Sequence, residues 1–234
     1  MSLEEKSVLI TGGTGALGLV VAQRFLESGA RIATSYLFED ELKRLPVDFK
    51  EKVIIVRANV SDPEEVALLF HQVRQRHGQV DILINIVGGF LPRSNIRDVE
   101  LNDWEHMMNI NLRSVFLCSR EFLRGLGKAP YGRIISMAAM PALKPVGGRG
   151  PYAVSKGGVV TLTQILGEEL KGTGVTANAI APSIIRTNAN ISSMPGEDQT
   201  KWVDPKEIAD LMLLLCSPAG HSINGVCVPM FGGV

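Results

Sequence analysis

Short apolar runs alternate with longer segments of helical period along almost the whole chain. This alternation constrains the fold more than any other feature. The β-rich runs are Ser7–Thr11, Arg31–Tyr36, Val53–Ala58, Ile82–Ile86, Arg133–Met137, Val175–Ile180 and Gly225–Pro229. Helical stretches lie near Ala16–Ser28, Pro63–His77, Asp103–Gly125, Tyr152–Lys171 and Pro205–Cys216. Strands that alternate with helices predict a parallel α/β sheet, because each crossover carries a helix back over it. Several runs are continuous in Val and Ile, as strands buried on both faces require, so helices are expected on both sides.

Local punctuation supports this division. Asp62–Pro63 and Asp204–Pro205 each offer an N-cap side chain followed by a proline suited to the first helical position. No Ser/Gly-rich linker or internal repeat divides residues 1–234, so one domain carries both cofactor binding and catalysis. The polar, small-residue segment Ile184–Val203, with Pro195–Gly196 inside it, is expected to be a mobile substrate loop.

Composition excludes several classes of function. Lys plus Arg is 24 and Asp plus Glu is 24, with no basic run, so nucleic acid has no electrostatic footprint. Cys118, Cys216 and Cys227 are far apart, which predicts buried thiols and no metal site. Met1–Lys6 is charged and leads into a strand without a signal-type apolar region. No apolar run approaches the roughly 20 residues that span a bilayer. A cytoplasmic protein acting on a small molecule, away from membranes, is the expectation.

The first strand ends in Thr11-Gly12-Gly13-Thr14-Gly15-Ala16-Leu17-Gly18 and runs into a helix. A dinucleotide turn belongs in that position. Gly12 permits the tight exit from the strand. Ala16 and Gly18 let the backbone come close to a pyrophosphate, which the helix N-terminus would bind. The Lys-Ser/Thr pair of a P-loop is missing. An acid at the end of the second strand would favour NAD, but Tyr36 and Leu37 stand there. No arginine follows them directly to meet a 2′-phosphate. The cofactor is therefore NAD(H) or NADP(H), with the choice open.

Tyr152-Ala153-Val154-Ser155-Lys156 places a phenol and an ammonium on one helical face. A free tyrosine has a pKa of about 10, and a nearby ammonium favours the phenolate. Tyr152 is thus the candidate general acid for an anion formed by hydride transfer. Lys156 is placed to hold the cofactor's ribose.

With these residues in place, the chain resembles the short-chain dehydrogenase/reductase family over essentially its whole length. The resemblance rests on the Thr11–Gly18 turn, Asn59-Val60 where the family usually has Asp-Val, and Asn85 after the fourth strand. It continues through Asn111 in Asn-Leu-Arg-Ser-Val-Phe, Tyr152 and Lys156, and then Pro182, Ile185 and Thr187. It implies a Rossmann-type, doubly wound domain of about seven parallel strands, and a homodimer or homotetramer built on the long helices. By the same resemblance, Gly12, Thr14, Gly15, Ala16, Leu17, Gly18 and Tyr36 would line the phosphate and adenosine side. Asn59 and Val60 would meet the adenine. Asn85, Tyr152, Lys156, Pro182, Ile185 and Thr187 would hold the nicotinamide side. Asn111 would support a water relay behind the lysine.

The chain also departs from the family. The family's serine, 13 residues before the tyrosine, is Ala139 here. Ser136 is three residues earlier, and strand alternation turns it to the other side. Dihydropteridine reductase, a family member that also lacks the serine, resembles this chain in Gly13–Gly18, in Gly88–Gly89 and in the pattern Asn190, Ser193, Met194, Pro195, Asp198 and Trp202. A flat pterin would stack on Trp202 or Phe90, although Trp202 equally suits a hydrophobic plug. The expected function is NAD(P)-dependent hydride transfer to or from a C=O or C=N group. The alternative is a nucleotide-binding scaffold or redox sensor with little catalysis. Intact Tyr152, Lys156 and Asn111 favour the enzyme.

Overall fold

The structure is a computed structural model that describes residues 2–234. Its strands are β1 (Ser7–Thr11), β2 (Arg31–Tyr36), β3 (Ile54–Arg57), β4 (Ile82–Asn85), β5 (Gly132–Met137), β6 (Val175–Pro182) and β7 (Cys227–Met230). They form one seven-stranded sheet of order β3-β2-β1-β4-β5-β6-β7. Every pairing is parallel. The winding direction reverses between β1 and β4, which opens a crevice beyond their C-terminal ends.

The helices are α1 (Ala16–Glu27), α2 (Glu39–Lys43), α3 (Val47–Lys52), α4 (Pro63–His77), α5 (Leu101–Met108), α6 (Ser114–Leu126), α7 (Met140–Leu143), α8 (Gly150–Glu169), α9 (Asn188–Ser193) and α10 (Pro205–Cys216). Val8, Ile10, Ile82, Ile84, Ile135 and Met137 face α1 and α10. The intervening Leu9, Leu83 and Ile134 face α4 and α6. Both faces of each central strand are therefore dry, which is why its sequence is apolar at successive positions. Phe25, Phe70 and Phe122 are fully buried in these two layers. Truncating any of them to Ala would cost about 3–5 kcal/mol.

Three details differ from the sequence expectation. The helix expected over Asp103–Gly125 begins at Leu101 and contains a π turn, Asn109–Arg113, between α5 and α6. Helices α2 and α3 are only 5 and 6 residues long, too short for an apolar period to reveal them. Ile184–Val203 is not irregular throughout: it holds α9 and a 3-10 turn at Gln199–Lys201. A bridge between Ile185 and Val203 closes its base. Trp202 is buried there, as a hydrophobic plug. Among the described residues, no helix is long and apolar enough to cross a membrane.

Candidate active site

The turn after β1 folds beneath the first turn of α1. Gly12 has φ +71°, and a Cβ there would lie 3.0 Å from Val87 Cγ2. A Cβ on Gly18 would lie 2.2 Å from the Gly12 carbonyl oxygen, so only glycine lets the helix rest on the turn. Gly15 is the N-cap of α1 and provides no side-chain cap. The first turn carries no acid, and Gly15 and Ala16 are exposed above buried Leu17. The leading N–H groups of α1 are therefore left without a side-chain cap or a competing acid, above a turn whose glycines let the backbone pack closely. This fits the pyrophosphate of a dinucleotide.

The remaining cofactor-side candidates also lie at or just past C-terminal strand ends. Tyr36 closes β2, and its hydroxyl donates to Glu39 Oε1 at 3.1 Å. Asn59 follows β3; its N–H donates to Glu65 Oε2 at 2.8 Å, and its Oδ1 accepts the Ser61 N–H. Val60 is buried in the layer against α4. Asn85 closes β4, and its buried Oδ1 has no hydrogen-bond partner among the described residues. Pro182 closes β6. Ile185 bridges to Val203, and the Thr187 side chain caps α9.

Tyr152 and Lys156 lie in the first two turns of α8. Lys156 is buried, and its Nζ donates to the Met137 carbonyl at 2.7 Å. Burial lowers its pKa to about 8. The segment after β4 passes beside it. A Cβ on Gly88 would lie 2.7 Å from Asn111 Oδ1 and 3.0 Å from Lys156 Nζ. Asn111 accepts the Gly89 N–H at 2.9 Å and donates to the Gly89 carbonyl at 3.0 Å and to Ser155 Oγ at 3.1 Å. The π turn gives α5–α6 the local irregularity that places Asn111 inward, a common use of such turns.

The environment of Tyr152 corrects one expectation. Its pKa is raised by burial, against which the Arg149 guanidinium pulls downward. The charge that acts on the phenol is that of Arg149, not that of Lys156. A phenol held above its ordinary range stays protonated near neutral pH, as a proton donor must.

Ala139 is buried and extended at the N-cap of α7, so no hydroxyl is offered there. Ser136 pairs across the sheet with Asn85 and accepts its Nδ2–H at 3.2 Å. That bond holds Ser136 within the sheet. A cavity of about 150 Å³ borders Tyr152 and is lined also by Leu91, Arg93, Ser94, Asp103 and Arg149. Phe90 is exposed under the Arg149 guanidinium, which lies 5.9 Å from its ring centre.

The sequence reading passed over Glu41, Arg149 and Ser155. Glu41 stands three residues after the helix start at Phe38, the spacing of a capping glutamate, which is a visible signal. Arg149 immediately precedes the Gly150-Pro151 helix start. Nothing local marks Ser155 as the partner of Asn111.

Residues 6–198 match the family model described as short chain dehydrogenase. The chain is 31% identical to an NADPH-dependent aldehyde reductase-like protein, chloroplastic, from Arabidopsis thaliana, covering all of this chain and 95% of that protein. It is 29% identical to a 3-oxoacyl-[acyl-carrier-protein] reductase of Vibrio cholerae, covering 100% and 99% of the two chains. A 3-ketoacyl-(acyl-carrier-protein) reductase from Brucella melitensis, solved with NADH, superposes with a TM-score of 0.90 at 27% identity, covering 99% of each chain. On this evidence of sequence, sheet order and glycine-lined turn, the chain belongs to the short-chain dehydrogenase/reductase family of oxidoreductases.

Proposed function

We propose that this protein moves a hydride between a nicotinamide dinucleotide and a C=O or C=N substrate, with Tyr152 as the proton donor. The observation that carries the reading is the position of Tyr152. It lies one turn ahead of buried Lys156 and borders a cavity lined also by Arg93, Asp103 and Arg149. The nicotinamide, when bound, supplies or accepts the hydride. Tyr152 delivers the proton to the substrate oxygen or nitrogen, and Arg149 favours the phenolate left behind. Lys156, anchored on the Met137 carbonyl, is placed to hold ribose hydroxyls. Asn111 fixes the Gly88–Gly89 backbone that borders the lysine.

The carbonyl reductases among its relatives support this reaction class. Ala139 favours a substrate that reacts without a serine to polarise it. The resemblance to dihydropteridine reductase points to a quinonoid pterin, and exposed Phe90 offers a stacking surface. Thiol-based redox sensing is disfavoured, because burial raises Cys118 and Cys216 to about 12. Exposed Phe116 on α6 and Val154 and Ile165 on α8 support pairing of two copies over the long helices.

The test is fluorescence titration with NADH and NADPH, followed by assays of their oxidation with a quinonoid dihydropterin, an aldehyde or a 3-oxoacyl thioester as the acceptor that is reduced. Turnover of any of these supports the enzyme. Dinucleotide binding with no turnover across the panel favours the scaffold.

A further inference from the structure

The carboxylate of Glu41 joins two backbone segments that the sequence keeps far apart. Its Oε1 accepts the N–H groups of Leu37 at 3.0 Å and Phe38 at 2.9 Å. Its Oε2 accepts the hydroxyl of Thr14, 27 residues upstream in the phosphate turn. Helix capping accounts for the first two bonds but not for the third. Leu37 and Phe38 directly follow β2, and β2 pairs with β1, which leads into the turn. The adenosine ribose of a dinucleotide lies between those two segments in a doubly wound fold.

Tyr36 occupies the strand-end position where an acid would meet that ribose, and its hydroxyl is engaged with Glu39. We propose that Glu41 is the residue that selects NAD(H) over NADP(H), reaching back from α2 to accept the ribose 2′-hydroxyl. The same carboxylate repels a 2′-phosphate. This rests on the reading of the chain as a nicotinamide enzyme.

The group is charged in the folded protein. Partial burial opposes ionisation, but the Thr14 hydroxyl, the Phe38 and Leu37 amides and the charge of Arg44 together hold it below the usual carboxylate range. The cations nearby do not cancel this arrangement. Lys43 is paired with Asp40 at 2.6 Å. Arg57 is exposed and sits beside Tyr36, its partner in the sheet register, with no ion pair within 4 Å among the described residues. Arg44 follows α2 and forms no ion pair within 4 Å among the described residues. Arg44 and Arg57 are the cations from which a 2′-phosphate would have to draw its partners against the Glu41 charge.

The experiment is a fluorescence titration of the full chain with NADH and with NADPH. It compares the wild type, Glu41→Gln and Glu41→Ala, with thermal melts to confirm folding. Gln keeps an acceptor oxygen for the Leu37 and Phe38 amides but removes the charge. The wild type is expected to bind NADH at least about tenfold more tightly than NADPH. Both variants should narrow that ratio to within roughly threefold, mainly by gaining NADPH affinity. A wild-type protein that binds the two equally, or prefers NADPH, overturns the proposal while leaving the oxidoreductase reading intact. So does a folded Glu41→Gln protein with an unchanged ratio. Failure of the wild type to bind either dinucleotide overturns both. A wild-type protein that does not prefer NADH overturns the proposal even if neither variant folds.

Discussion

Lys156 donates its 2.7 Å hydrogen bond to the carbonyl of Met137, two residues before Ala139. The ammonium is thus tied to the segment that lacks the family's hydroxyl. Its other side is bordered by Gly88, where any side chain would meet both Lys156 and Asn111. Lys156 is thus held between the Met137 carbonyl and the Gly88 backbone, and Arg149 is the cation whose charge lowers the pKa of the Tyr152 phenol against its burial.

Burial of Lys156 links stability to alkaline pH. Its folded pKa is about 8, against an ordinary value of 10.5. Between those values the unfolded chain binds more protons than the folded one, so this group's contribution makes stability rise with pH across the window. Urea unfolding of the wild type and Lys156→Met at pH 7 and pH 10 isolates the effect. The wild type should gain about 2 kcal/mol relative to the variant between the two pH values. A difference that does not move with pH would mean the ammonium is as well solvated in the fold as outside it.

Gly88 should be intolerant of even one methyl group. A Cβ there meets Asn111 Oδ1 at 2.7 Å and Lys156 Nζ at 3.0 Å, both held by other bonds. Gly88→Ala is expected to lower kcat/KM by roughly a hundredfold, the usual cost of a small misplacement of catalytic groups. Steady-state kinetics on a protein of near-native melting temperature would show it. Activity within twofold of wild type would show that the lysine is not held as described.

Ala139 is the N-cap of α7, where serine is a favourable residue, so Ala139→Ser should fold normally. A hydroxyl there is expected to raise the reduction of simple ketones by at least about tenfold, since a well-placed donor to a developing oxyanion is worth more than that elsewhere. Quinonoid pterin reduction should change little. Equal rates on ketones in the folded variant would remove the missing hydroxyl as the explanation of substrate choice.

Much of this was legible in the sequence, for local reasons. The Gly12–Gly18 turn, the Val/Ile strands and the Tyr152–Lys156 pair each depend on residues close together in the chain. Their spacing reports the backbone geometry directly. The relations that were not legible are tertiary. Glu41 reads as a capping residue until the fold brings Thr14 to it. Arg149 reads as a loop cation until α8 sets it near the phenol. The π turn at Asn109–Arg113 adds local winding without disturbing the apolar stripe of α6, so no periodicity betrays it. Ala139 was visible as a departure, but the engagement of Ser136 with Asn85 appeared only when β4 and β5 were seen side by side.

Single-turnover hydride transfer in Tyr152→Phe tests the central claim most directly. It should be measured with saturating reduced dinucleotide and whichever acceptor the wild type reduces. The phenyl ring keeps the packing and removes only the hydroxyl, and with it the transferable proton. The account predicts a loss of about 10²- to 10⁴-fold in the rate, with dinucleotide affinity within about twofold of wild type. A rate that survives the substitution unchanged would show that Tyr152 is not the proton donor.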